Sequence, residues 1–198
     1  MLETCFKKNS YEAGLDEAGR GCLAGPVYAA AVILPDDYKN KMIRDSKQLS
    51  PKQREILRSE IEKNAISYSV KSIDETTIDR INILKSSILA MHNCIDELSV
   101  KPKHLLIDGN YFSAVNGFIH KTIIKGDGKY MNIAAASILA KTYRDEWMTK
   151  IDKEYPVYNW RKNKGYGTKE HIDAIAKFGL TPYHRRSFVI KSIQLTIF

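Results

Sequence analysis

Cysteine is scarce in this chain, and what there is does not cluster. Cys5, Cys22 and Cys94 are odd in number, widely spaced, and form no CxxC pair in 198 residues. A disulfide framework or a zinc ribbon is disfavoured, and a reducing compartment, the cytoplasm, is the simplest expectation. Long apolar runs are also missing. The stretch from Val27 to Leu34 falls well short of the about 20 residues a membrane span needs. Met1 to Ser10 lacks the apolar centre of a signal peptide. No membrane association is expected. The phosphate-loop pattern GxxxxGK[ST] does not occur, and neither do internal repeats or low-complexity linkers. Acid is in deficit: 23 Asp and Glu stand against 31 Lys and Arg, a formal net charge of +8.

A basic surplus favours anionic partners, though weakly on its own. Here it is uneven. From Trp160 to Phe198 there are eight Lys or Arg against Glu170 and Asp173. Tyr158, Trp160, Tyr166, Phe178, Tyr183 and Phe188 interleave with those charges. Phosphate contact plus a sugar or base surface calls for that mixture. A solvated basic face is the plainer alternative.

Local patterns give a coarse outline. Tyr11 to Ala18, Pro26 to Leu34 and Ser67 to Ile73 read as strands, as do Leu105 to Asp108 and Ile119 to Ile124. Ser50, Pro51 and Gln53 form a helix start with a capping box, and Ile56, Leu57 and Ile61 give that helix an apolar stripe. Thr77 to Leu98 reads as one long helix with Ile81, Leu84, Ile88 and Met91 at helical spacing. Met131 to about Ile151 is a helix rich in alanine, suited to close packing on a sheet. Thr168 to Phe178 is a further helix, ended by Gly179. The order predicts an α/β fold: a mixed sheet flanked by helices, then a small helical C-terminal part. It matches neither a doubly wound nucleotide fold nor a barrel.

The chemistry concentrates in Gly14-Leu15-Asp16-Glu17-Ala18-Gly19-Arg20-Gly21. Two adjacent acids follow an apolar approach and precede a glycine-arginine-glycine turn. Neighbouring strand residues point to opposite faces, so one carboxylate must reach the site indirectly. Two further acids have apolar run-ups, Asp108 after Leu105-Leu106-Ile107 and Asp127 after Ile123-Ile124-Lys125-Gly126. Carboxylates at strand ends assemble oxygen-ligand sites for hard divalent cations. A pair of such cations can clamp both oxygens of an in-line phosphoryl displacement. The glycines around Arg20 suit a backbone that approaches a ligand closely. Asp45-Ser46-Lys47 offers a hydroxyl and an ammonium to a phosphate. Tyr166, between Gly165 and Gly167, suits stacking on a sugar or base. His171 and His184 read first as satisfied histidines, with general base or metal ligand as alternatives, since no HxH or HxxxH pairs them.

Several separated motifs carry a resemblance. They are GLDEAGRG, Asp45-Ser46-Lys47-Gln48-Leu49, Ile107-Asp108-Gly109-Asn110, Lys125-Gly126-Asp127, Ala135 to Lys141, NKGYGT with His171, and His184 to Phe188. In this order they resemble bacterial ribonuclease HII over nearly the whole chain. The arginine-bearing glycine motif separates it from ribonuclease HIII. The resemblance implies an RNase H-like core over residues 1–155 and a helical substrate-binding extension and tail over 156–198. It implies cleavage of the RNA strand of RNA–DNA hybrids and nicking of duplex DNA 5′ to embedded ribonucleotides, with Mn2+ or Mg2+. It gives metal-binding and catalytic roles to Asp16, Glu17, Asp108 and Asp127. It gives ribose recognition to Gly19, Arg20 and Gly21, junction stacking to Tyr166, and places near the phosphates to Lys47 and Ser137. Asp145 is expected to support the site, not to join it. A monomer is expected. A non-catalytic hybrid-binding module, or another two-metal nuclease, is the alternative. Finally, Gln194, Leu195, Ile197 and Phe198 resemble a sliding-clamp binding peptide; a tail folded back on the body is the alternative.

Overall fold

Two runs that bury almost every side chain form the centre of the sheet. They are β1 (Glu12–Ala18) and β2 (Val27–Ile33), paired antiparallel. This computed structural model describes residues 2–7, 10–43, 46, 49–115 and 117–188. Lys47 and the segment from Gln194 to Phe198 lie outside the described residues. Next come α1 (Pro51–Asn64), β3 (Ser67–Ile73), α2 (Glu75–Ile81), α3 (Ile83–Glu97), β4 (His104–Asp108) and β5 (Ile119–Ile123). The chain continues through α4 (Met131–Asp152), α5 (Trp160–Asn163) and α6 (Lys169–Phe178), with short 3-10 turns at Gly126–Gly128 and Pro156–Tyr158. The strands lie in the order β3-β2-β1-β4-β5. β3, β2 and β1 are antiparallel neighbours; β1, β4 and β5 run parallel.

Each face of the sheet has its own core. Ala13, Leu15, Ala29, Ala31 and Ile107 meet Ala90, Met91, Cys94 and Ile95 of α3 on one side. Ala30 and Val32 meet Leu57 and Ile61 of α1 and the alanines of α4 on the other. The small residues let α4 lie close to the strands. Gly14 marks the nearest approach: a Cβ there would stand 2.2 Å from the Asn132 carbonyl carbon. No helix of the described residues is long and apolar enough to cross a membrane.

Three expectations need correction. The helix read as Thr77 to Leu98 is two. Asn82, at φ 70°, ends α2, and its side chain caps α3 by accepting from the Lys85 amide. An asparagine tolerates that backbone region better than most residues. The apolar stripes are also narrower than the spacing suggests, since Ile56 and Leu84 are exposed. Tyr158 and Trp160 are buried and stacked on each other at 5.0 Å, so they serve a local core with Met148, Ile151 and Ile175 and not a surface for nucleic acid.

Candidate active site

The register of two parallel strands builds the site. Leu15 of β1 is opposite Ile107 of β4. One step further along both strands brings Asp16 beside Asp108, on the face that α4 covers. Gly14 touches α4, and strand alternation puts Asp16 on the same side. Glu17 belongs to the opposite face, but it stands near the C-terminal end of β1 and reaches the same cavity. That cavity, about 260 Å³, is lined by Asp16, Glu17, Gly19, Arg20, Gly21, Asp108, Ser137 and Tyr166, with Ser46, Arg54 and Lys141.

Each carboxylate is held. Asp16 Oδ1 accepts from the Glu17 amide at 2.7 Å. Burial, then the charges of Glu17 and Asp108, push its carboxyl well above the usual range, while a bond to Ser137 opposes the rise. Glu17 Oε1 accepts from Arg20 Nη1 at 3.1 Å. Asp108 Oδ1 accepts from the Gly126 amide at 2.6 Å. That last bond fastens the turn after β5 to the end of β4. Asp127, the next residue, is buried in this turn and does not line the cavity. Among the described residues, no three His, Cys, Asp or Glu side chains converge closely enough to hold one cation. The donor set nevertheless fits a hard divalent ion. Asp16, Glu17 and Asp108 are oxygen ligands on one cavity, and their mutual repulsion is what a cation would relieve.

The rest of the cavity is tied down by neighbours, among which Arg54 is one the sequence did not reveal. Ser137 Oγ lies 2.9 Å from Ser46 Oγ, linking α4 to the loop before α1. Arg54 Nη1 donates to the carbonyls of Ser46 (3.0 Å) and Leu49 (2.6 Å), and so fixes that loop. Asp145 pairs with Lys141 at 2.6 Å and with Arg54 at 3.6 Å. It does not line the acid cavity. Arg54 and Lys141 also line a groove of about 1170 Å³, which brings in Arg58, Lys150, Lys153, Arg161, Lys162 and Lys164.

Tyr166 is 44 % exposed, which a stacking role would require. Its backbone forms a bridge with Cys22, just past the glycine-arginine-glycine turn. Its carbonyl accepts from His171 Nδ1 at 2.9 Å. His171 Nε2 accepts from Trp160 Nε1 at 3.0 Å and lies 3.2 Å from His184 Nε2. The Thr181 amide donates to His184 Nδ1 at 2.9 Å, which leaves the proton of His184 on Nε2, directed at His171. The two histidines are thus a buried neutral pair, with the His184 pKa lowered to about 4 chiefly by burial. They prop the tyrosine turn. Distance in sequence hid their pairing.

The chain is similar over nearly its whole length to proteins of one kind. The family model described as Ribonuclease HII matches residues 13–191. Ribonuclease HII of Bacteroides thetaiotaomicron is 60% identical over 188 residues, 95% of this chain and 94% of its own length. That of Christiangramia forsetii is 60% identical over 185 residues, 93% of each. Among solved structures, ribonuclease H2 from Pyrococcus horikoshii OT3 has a TM-score of 0.75 at 25% identity, covering 89% of this chain and 93% of its own. A chain of the PCNA:RNase HII complex from Archaeoglobus fulgidus has a TM-score of 0.73 at 25% identity, covering 91% and 96%.

Proposed function

The chain belongs to the ribonuclease HII family of metal-dependent ribonucleases H, and we propose that it cleaves the RNA strand of RNA–DNA hybrids and nicks duplex DNA 5′ to an embedded ribonucleotide at the cavity between β1 and β4. One observation carries this reading: the β1–β4 register sets Asp16 beside Asp108, with Glu17 reaching the same cavity. Asp16, Glu17 and Asp108 would hold divalent cations, Mn2+ or Mg2+. Asp127 would join them from the turn that Asp108 fastens through Gly126. Cations held there would supply charge to activate water and to stabilise the leaving oxygen of an in-line displacement at phosphorus. The products would carry 3′-hydroxyl and 5′-phosphate ends.

The remaining residues select and hold the substrate. The Gly19-Arg20-Gly21 backbone would meet the 2′-hydroxyl, the group that distinguishes RNA from DNA. Gly21 has open space where a side chain would be, which leaves room for a close approach. Tyr166 would stack on the deoxyribose that follows the ribonucleotide. Ser137, bonded to Ser46, and Lys47 would lie near the phosphates. The basic groove shared by Arg54 and Lys141 suits a duplex backbone. We place the chain in the cytoplasm, in keeping with the wide spacing of Cys5, Cys22 and Cys94, and as a monomer. Clamp docking by Gln194, Leu195, Ile197 and Phe198 is part of this proposal; it draws support from the Archaeoglobus protein having been solved in a complex with PCNA.

The test compares three labelled duplexes: a uniform RNA–DNA hybrid, DNA with one ribonucleotide, and DNA alone. Each is incubated with Mg2+, with Mn2+, and with chelator. Cation-dependent cleavage of the first two and none of the third is expected. Cleavage in chelator, or of plain DNA, contradicts the proposal.

A further inference from the structure

Two segments form the surface proposed above for reading ribose and deoxyribose. One is the loop from Gly19 to Pro26; the other is the turn from Lys164 to Tyr166. They are stitched together directly, since the Leu23 and Ala24 amides donate to the Gly165 carbonyl at 2.8 and 3.3 Å. Beneath both lies Arg144, on α4 and fully buried. Its Nε donates to the Pro26 carbonyl at 3.0 Å, its Nη2 to the Ala24 carbonyl at 3.0 Å, and its Nη1 to the Lys164 carbonyl at 2.8 Å. All three nitrogens of the guanidinium are therefore spent on the backbone of these two segments.

The glycines of the loop and the turn are shaped to this arrangement. A Cβ on Gly19 would stand 2.0 Å from Arg144 Nε and 2.6 Å from its Cδ. A Cβ on Gly165 would stand 2.3 Å from the Ala24 carbonyl oxygen. Both have positive φ, 97° and 80°, where a side chain is strained in any case. The first glycine of the arginine-bearing motif thus leaves the space through which the Arg144 side chain passes. Burying a cation is costly, and packing alone is better served by an apolar residue. A planar fork with fixed donor directions is what three differently placed carbonyls require, and lysine has no such fork.

We propose that Arg144 is a positioning residue for substrate selection. It ties the Gly19–Pro26 loop to the Lys164–Tyr166 turn, so that the ribose and the deoxyribose that follows it, both on the 3′ side of the scissile bond, are read together. The inference rests on the proposed contacts of those two segments with substrate. Arg185 supports the same loop from the chain beyond α6, donating to the carbonyls of Arg20 at 2.9 Å and Gly25 at 2.7 Å.

The test measures kcat/KM on the single-ribonucleotide duplex and on the uniform hybrid, for the full chain and for Arg144→Lys. Only the first substrate demands both readings at once. The ratio of the two is expected to fall roughly tenfold or more in the variant, since small misplacements of reacting partners cost up to about a hundredfold. Cleavage of the hybrid is expected to suffer less. An equal fall on both substrates, or an unchanged ratio, overturns the role. If Arg144→Lys does not fold, Gly165→Ala separates the same two segments with Arg144 intact. The same loss of ratio is expected there, and an unchanged ratio overturns the role. A wild-type chain inactive on both substrates refutes the functional reading instead.

Discussion

Asp16→Asn is expected to abolish cleavage and, in chelator, to raise stability. The side chain is 6 % exposed and faces two other acids across one cavity. Adjacent strands lie about 4.8 Å apart, so a pair of like charges there repels by about 3 kcal/mol at an effective dielectric constant of about 20. The Arg20–Glu17 ion pair offsets part of this. Asparagine keeps the shape, and its Oδ1 still accepts from the Glu17 amide. The net gain should be about 1 kcal/mol, or roughly 2–4 °C in Tm for a chain of this size. Added Mg2+ or Mn2+ should raise the wild-type Tm by binding only the folded state, and should do little for the variant. Cleavage should fall by more than about a hundredfold, the upper end of what losing even an outer partner of a metal ligand costs. Paired thermal melts with and without cation, and turnover on the hybrid, read both effects. Full activity in the variant, or a lower Tm than wild type in chelator, would refute the assigned role of Asp16.

Other substitutions probe the substrate surface, the sheet–helix contact and a buried acid. Tyr166→Ala should reduce cleavage at a single ribonucleotide by roughly tenfold to a hundredfold, the scale of about 1–3 kcal/mol per stacking contact; equal loss on a uniform hybrid would contradict its junction role. Gly14→Ala forces a Cβ against the α4 backbone and should cost about 1–3 kcal/mol, seen in urea melts; an unchanged midpoint would mean α4 lies further from β1. Glu75 is buried with Oε1 unpartnered, and burial raises its pKa from 4.5 to about 7. The folded state then binds more protons than the unfolded one between those values. Its share of stability is full below pH 4.5, is lost as pH rises toward 7, and is flat above. Glu75→Gln should remove that slope from a stability-versus-pH series, and an unaltered slope would place its origin elsewhere.

Much of the site was legible because its signals are local. The acids at strand ends, the glycine-arginine-glycine turn and the Ser50–Gln53 capping box are short patterns, and that capping box forms as read. The alanine run of α4 announced close packing on a sheet. What stayed hidden depends on register and on contacts between distant segments. Nothing local places Asp16 level with Asp108, because that follows from the pairing of β1 with β4. Arg144 sits in a helix stretch with no mark distinguishing a buried guanidinium from a solvated one. His171 and His184 meet only through the fold around Trp160. The helix break at Asn82 was masked by an apolar spacing that continues across it.

On the proposed reading, carboxylates at the ends of β1 and β4 direct water to the phosphorus beside a ribonucleotide. Mapping both ends of the cut on a duplex with one ribonucleotide tests it most directly. A nick on the 5′ side of the ribonucleotide is expected, leaving a 3′-hydroxyl and a 5′-phosphate. A cut on its 3′ side that leaves a 2′,3′-cyclic phosphate would make the ribose hydroxyl the nucleophile, and would rule out a carboxylate-directed water.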